Sequence, residues 1–252
     1  MSAAPSIDTT RSAIEALLAA IEARDRRGIS RALTPDARWQ NVPHVATEGR
    51  DAVVSMLGDI VTWSDEVRWE VRSASYEPGI GRLDRVDRFH IDGRWYDAEC
   101  NGVFTVDPSG RVSDVHDEVD LGEWRSRVTP ALEAMRSRAP VDVVRRHLAG
   151  VERGDTASMA ADYAHDAVLH RGAEVHEGWE AIADYFDTVP GRLAQRAVEF
   201  TDVTMMEAGT VVVRWQITGD DTSHDTVTGR DTFDVRAGRI VAQTVELDTG
   251  DF

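Results

Sequence analysis

The sequence predicts an α+β fold used twice: a tandem duplication of a cone-shaped domain, each copy with three N-terminal helices packed on a curved antiparallel sheet. Three observations predict it. In the first half, apolar residues recur at helical spacing through Ile60 and then alternate with a period of two from Val67 onward. The same order of helices followed by strands returns in the second half. The two halves also keep register: Val53→Ile182, Met56→Tyr185, Leu57→Phe186, Ile60→Val189, Trp69→Val198, Val71→Phe200 and Arg85→Arg214 each differ by 129, and Gly110-Arg111 returns as Gly238-Arg239 at a difference of 128. Register held this far along a chain marks an internal duplication. The boundary falls near Arg136–Pro140, giving domains at residues 1–135 and 136–252. Each is large enough to bury its own core.

The elements follow in order. Ile14, Leu17, Leu18 and Ile21 form one helical face within residues 11–28, and Gly28 ends that helix. A short helix over Ile29–Leu33 leads through the turn Thr34-Pro35-Asp36 to a strand over Ala37–Pro43. Glu48-Gly49-Arg50-Asp51 opens a third helix with Val53, Met56, Leu57 and Ile60 on its apolar face. Val67, Trp69 and Val71 then alternate with charge, and a strand over 83–91 reaches Asp92-Gly93, a two-residue turn signal. A long strand from Arg94 to Val106, the turn Asp107-Pro108-Ser109-Gly110, and a last strand from Arg111 to about Leu121 complete the first copy. In the second, a helix carrying Val141, Val144, Leu148 and Val151 ends near Gly154, and Glu177-Gly178 opens the helix of Ile182, Tyr185, Phe186 and Val189.

Composition narrows the function classes. A net charge of -17 argues against nucleic acid and anionic membranes, both of which need a basic footprint. The one cysteine, Cys100, excludes an intramolecular disulfide and a cysteine metal cluster, and reads as a packing residue. His44, His90 and His116 fit no metal-ligand spacing, so neither metal nor cofactor is expected. Residues Met1–Thr10 show no secretory pattern and no apolar run approaches the ~18 residues of a membrane span, which predicts a cytoplasmic protein.

The polar residues that face inward carry the chemistry. In Asp84-Arg85-Val86-Asp87-Arg88-Phe89-His90, strand alternation puts Arg85 and Asp87 on one face with Leu83, Phe89 and Ile91. Taken alone, that pair reads as an internal ion pair, since charges on an apolar face are costly unless paired. In the last strand, Val115, Asp117 and Val119 share one face, while Val112, Asp114, His116, Glu118 and Asp120 form the wet one. Asp117 is then a second lone carboxylate aimed at the same cavity. Two carboxylates and one arginine in an apolar pocket repel and desolvate unequally, so one pKa rises while the arginine keeps the other ionised. Such a pair is equipped as general acid and general base. Trp39 and Asn41 share one face of the first strand, where Asn41 can hold a water.

Trp39-Gln40-Asn41-Val42-Pro43, Glu48-Gly49-Arg50-Asp51-Ala52-Val53, Arg85-Val86-Asp87, Gly102-Val103-Phe104 and Asp117 followed by Asp120-Leu121 resemble limonene-1,2-epoxide hydrolase. That family is a branch of the cone folds that include nuclear transport factor 2 (NTF2) and ketosteroid isomerase. The resemblance covers most of residues 11–126. It implies a one-step, metal-free opening of a small or medium apolar epoxide by water. Asp117 would be the base, Asn41 the holder of the water, protonated Asp87 the acid at the epoxide oxygen, and Arg85 the bridge between the carboxylates. Trp39, Leu83, Phe89, Val115 and Val119 would wall the substrate pocket. The sequence departs from the family at Trp39, where the family has a tyrosine on the water; an indole N–H donates but cannot accept. The same acid–base pair also suits an epoxide-opening cyclase or an isomerase of a polyketide or terpenoid intermediate, and a non-catalytic binding module is the third reading.

The second half resembles the wider polyketide-cyclase-like (SnoaL-like) members of the same fold and lacks the constellation. There Arg214 repeats Arg85, Gln216 takes the place of Asp87, Val245 that of Asp117 and Arg171 that of Asn41. Tyr163, His170, His176 and Asp231 read as ordinary turn, cap or surface residues. This half is expected to be structural or to complete the pocket, the two halves forming an intramolecular pseudo-dimer that could pair again as a homodimer.

Overall fold

The computed structural model describes residues 4–194, 196–207, 209–218 and 226–249. It divides into two compact units, Met1–Leu132 and Glu133–Phe252.

In the first unit, α1 (Ile7–Glu22) starts at Ser6, whose hydroxyl accepts from the Thr9 amide at 3.1 Å. That bond satisfies one of the orphan donors of the first turn. Its stripe of Ile14, Leu17 and Ile21 is fully buried. The chain turns at Arg24, in the left-handed region at φ 57°, so this helix ends before Gly28, and α2 (Arg26–Ala32) absorbs that glycine. Next come β1 (Leu33–Val42), β2 (Thr47–Glu48) and α3 (Arg50–Trp63), followed by β3 (Glu66–Glu77), β4 (Ile80–Ile91), β5 (Arg94–Val106) and β6 (Val112–Val119). The sheet order is β2-β1-β6-β5-β4-β3. It is mixed rather than wholly antiparallel, because β1 runs parallel to the last strand β6. Parallel neighbours need a crossover, and everything from β2 to β5 supplies it. The helices pack on one face of this sheet, with α1 against β3, β4 and β5 and α3 against β1.

Asp117 lies on that inner face as its parity predicts, but Val112 does not lie on the wet one: it is fully buried. The register shifts between Thr105 and Val106 opposite it, and such a bulge resets the alternation. A helix over α4 (Leu121–Arg136) follows β6 where the sequence signalled none. Val128 is the residue it buries, and Pro130 lies inside it, so its apolar periodicity is weak.

The second unit repeats the plan with α5 (Pro140–Arg153), α6 (Thr156–Ala161), β7 (Tyr163–Arg171), β8 (Glu174–Glu177), α7 (Trp179–Leu193), β9 (Val198–Met205), β10 (Thr210–Ile217), β11 (Val227–Arg236) and β12 (Arg239–Thr249). Proline opens α5 at a position whose amide would be unpaired anyway, and Gly154 closes it at φ 65°. The sheet order, β8-β7-β12-β11-β10-β9, matches the first unit strand for strand, with β7 parallel to β12. No helix among the described residues is long and apolar enough to cross a membrane.

Candidate active site

Arg85, Asp87 and Asp117 meet on the inner face of the first sheet. Arg85 and Asp87 come from β4, and Asp117 comes from β6 across the intervening β5. The Arg85 guanidinium is fully buried and forks both ways. Its Nε and Nη2 donate to the Asp87 carboxylate at 2.8 and 3.2 Å, and its Nη1 and Nη2 donate to the Asp117 carboxylate at 3.1 and 2.9 Å. Only a planar five-donor group can hold two carboxylates in this way. Its faces are covered too: the Trp69 ring lies 4.6 Å and the Phe104 ring 5.3 Å from the guanidinium carbon.

One missing side chain makes the meeting possible. Gly102 pairs with Leu83 on one side and with Asp117 on the other, between the two strands that carry the charges. A β-carbon there would fall on Arg85 Nη1 and within 2.5 Å of Asp117 Oδ1. Gly102→Ala is therefore expected to break the Arg85–Asp117 contact and destabilise the first unit by about 1–3 kcal/mol, the usual effect of overpacking. Urea denaturation of the variant beside the parent checks this.

The two carboxylates differ. Asp117 is 2% exposed and Asp87 is 8% exposed, so the open side of the site is at Asp87. Burial pushes the Asp87 carboxyl up to about 6; Arg85 opposes that rise, and the charge of Asp117 adds to it. Burial works against the charge of Arg85, yet the two carboxylates outweigh it and hold the guanidinium more firmly protonated than usual. Cys100 pairs with Arg85 across β4 and β5. Burial, and then the neighbouring Asp117 charge, push its thiol well above the ordinary range, so it stays protonated beside the carboxylates.

Trp39 reaches the site through its indole nitrogen. Its indole N–H donates directly to Asp117 Oδ2 at 3.1 Å, while its ring stands edge-on to Trp69 and Phe104. Asn41 is half-buried on β1, directly opposite Asp117 in the parallel β1–β6 register. Leu83, Phe89 and Val115 are buried, whereas Val119 at the end of β6 is half-buried beside Cys100. Trp69, Phe104, Cys100 and Gly102 complete the site. Strand parity could have added Cys100, Gly102 and Phe104, because they alternate along β5 as Arg85 and Asp87 do along β4.

The second unit overturns part of the repeat. Arg214 does not stand where Arg85 stands: it is exposed, and Gln216 donates to Glu199 at 2.6 Å on that side of β10. Register assigns the places. Arg85 pairs with Cys100, and Cys100 lies two residues before Gly102, the partner of Asp117. In the second sheet Trp215 pairs with Gly229, which lies two residues before Asp231, the partner of Val245. Trp215 thus holds the place of Arg85, Ile217 that of Asp87 and Asp231 that of Gly102. A constant offset slips by one residue across the β9–β10 hairpin, and on a strand one residue exchanges the faces. Val245 does hold the place of Asp117, and Arg171 that of Asn41.

Asp231 and Tyr163 are therefore not ordinary turn, cap or surface residues: with Trp215 and Gln243 they form one buried network. Asp231 accepts from Trp215 Nε1 at 2.9 Å and from Gln243 Nε2 at 2.8 Å, and Tyr163 donates to the Gln243 carbonyl. Burial pushes the Asp231 carboxyl up to about 6 against those two hydrogen bonds. His170 is exposed and stands apart from them.

Residues 144–243 match the SnoaL-like domain family. An LEH-like epoxide hydrolase of M. tuberculosis is 21% identical, with 50% of this chain and 93% of that one covered at a TM-score of 0.43. An NTF2-like protein of unknown function from Burkholderia pseudomallei is 20% identical, covering 48% of this chain and 98% of that one at a TM-score of 0.42. Bal32a, from a soil-derived mobile gene cassette, is 16% identical, covering 48% of this chain and 96% of that one at a TM-score of 0.41. No curated protein matches the chain by sequence. The class is thus an α+β protein of two units, each about half the chain and each built on a six-stranded mixed sheet with helices packed on it. Within it, the stretch similar to the SnoaL-like domain lies in the second unit.

Proposed function

We propose that the first unit hydrolyses a small or medium apolar epoxide with an activated water. The observation that carries this reading is the pair of buried carboxylates held by bidentate contacts on one guanidinium, with Asp87 raised to about 6. A carboxyl in that range can keep its proton near neutrality and deliver it to a ring oxygen as the C–O bond breaks. Asp117 takes the proton of the attacking water, and Asn41, beside it in register, holds that water. Arg85 fixes the distance between acid and base, and the Trp39 N–H keeps the Asp117 carboxylate turned toward β1. Atoms balance: water adds oxygen to one ring carbon, the ring oxygen takes the proton of Asp87, and the proton gained by Asp117 restores the acid through solvent.

Incubation with a panel of alkyl- and cycloalkyl-substituted epoxides in heavy-oxygen water tests the reaction. The expected product is a diol carrying one heavy oxygen; an isomerised or cyclised product of unchanged mass would replace hydrolysis by ring-opening without water. The acid also sets a pH dependence. Asp87 must be protonated to act, so kcat/KM is expected to fall as pH rises through about 6. Stability follows the same sign. A carboxyl raised from 3.8 to about 6 on folding contributes stability that is full below the unfolded value and is lost as pH rises through 6. Asp87→Asn should abolish the pH-dependent fall along with most of the rate.

A further inference from the structure

The second unit contains a cavity of about 50 Å³ whose wall includes Phe186, Val189, Trp215 and Val245 beside Asp231 and Gln243. Val151, Val198 and Phe200 at its margin are only partly buried, so the cavity reaches solvent. Space of this size holds a few non-hydrogen atoms. The one carboxylate in it has an unusual set of partners. Both its hydrogen bonds come from neutral groups, an indole and an amide. Neither an arginine nor a lysine is among the cavity-lining residues described. His147, which also lines it, holds its Nδ1 at 2.8 Å from the Met159 carbonyl, and burial keeps its pKa below normal, so it adds no positive charge. Arg171 on β7 and Arg192 on α7, whose charges act on the Tyr185 hydroxyl, lie 3.6 and 3.5 Å from Glu174.

The first unit shows how this fold completes such a carboxylate. There a cation stands against carboxylates, with its guanidinium carbon over the Trp69 and Phe104 rings. In the second unit Trp215 holds the place of that arginine, and aromatic rings and a carboxylate surround open space instead. Each Asp231 oxygen takes one protein donor, which leaves a lone pair on each for an incoming donor. A cation over aromatic faces and against a carboxylate is favoured by both contacts.

We propose that the second unit binds a short alkylammonium ion in this cavity, its ammonium group on Asp231 and its alkyl chain against Phe186, Val189 and Val245. The site is separate from the acid–base pair of the first unit and does not depend on what that pair does. The ligand supplies from outside a positive charge of the kind that the first unit carries on its own chain. Recognition therefore discriminates by charge: an alcohol of the same shape offers one hydroxyl donor and no cation.

Calorimetric titration of the full chain with isobutylamine hydrochloride and with isobutanol tests this. The amine is expected to bind at least roughly tenfold more tightly than the alcohol. Asp231→Asn should lose that binding, while Asp117→Asn should keep it. Absence of amine binding, equal binding of the alcohol, retention in Asp231→Asn, or loss in Asp117→Asn would each overturn the proposal. Val189→Phe, which fills the cavity and keeps the carboxylate, decides the matter should Asp231→Asn fail to give the parent's circular dichroism. Loss of amine binding in that folded variant supports the site, and unchanged binding rejects it.

Discussion

Arg85→Met is expected to destabilise the first unit by about 3–5 kcal/mol at pH 7.5, the cost of leaving a buried charge without its partner. The methionine fills much of the space between Trp69 and Phe104, so the effect isolates charge from volume. Two carboxylates would then share an apolar site with no cation, and folding would press both toward the protonated form. A carboxyl whose pKa is raised on folding favours the native state at low pH. The deficit of Arg85→Met against the parent should therefore shrink as pH falls from 7.5 to 5. Urea melts at the two pH values measure it. A deficit that stays constant with pH would mean that lost packing, and not the loss of the cation between two buried carboxylates, sets the effect of the substitution.

Asp117→Asn is expected to lower kcat/KM for epoxide hydrolysis by about 10²–10⁴, the usual contribution of a positioned general base. The amide keeps the shape of the side chain, and its oxygen at the Oδ2 position can still accept from Trp39 and Arg85 Nη2; its nitrogen gives up the contact with Arg85 Nη1, and the two that remain hold the side chain in place. What it cannot do is take a proton from water. Full activity in this variant, with the fold intact by circular dichroism, would remove Asp117 from the mechanism and return the triad to an internal ion cluster. Comparison with Asp87→Asn separates the two roles: the acid variant should flatten the pH profile, whereas the base variant should lower it throughout.

Much of this site was legible from alternation alone. Arg85, Asp87 and Asp117 each fall on an apolar strand face, and a period of two needs no long-range information. The same logic was available for Asp231, which shares its face with Val227, Phe233 and Val235 on β11. What escaped was anything that depends on the joints between strands. The bulge opposite Val112 reset one face, and the one-residue slip across the β9–β10 hairpin put Arg214 in solvent where Trp215 is buried. Helix α4 escaped for a different reason: it buries one valine, and amphipathic periodicity is the main signal a sequence gives for a helix. The parallel seating of β1 beside β6 is a property of chain path that local pattern does not encode.

Gly102 and its counterpart Asp231 also limit how one half could be turned into the other. In the first unit the position must stay empty for a guanidinium to cross it. In the second, Gly229 is the empty neighbour, since a β-carbon there would strike the Trp215 ring and lie 2.5 Å from the Glu246 carbonyl. Free space has moved two residues along the strand while bulk moved across to the facing one. An arginine placed at 215 would still meet Asp231 where its path must be clear, and a tryptophan at 85 would collide with Cys100. Grafting the ion triad into the second half therefore requires replacing residues 215, 217, 231 and 245 together.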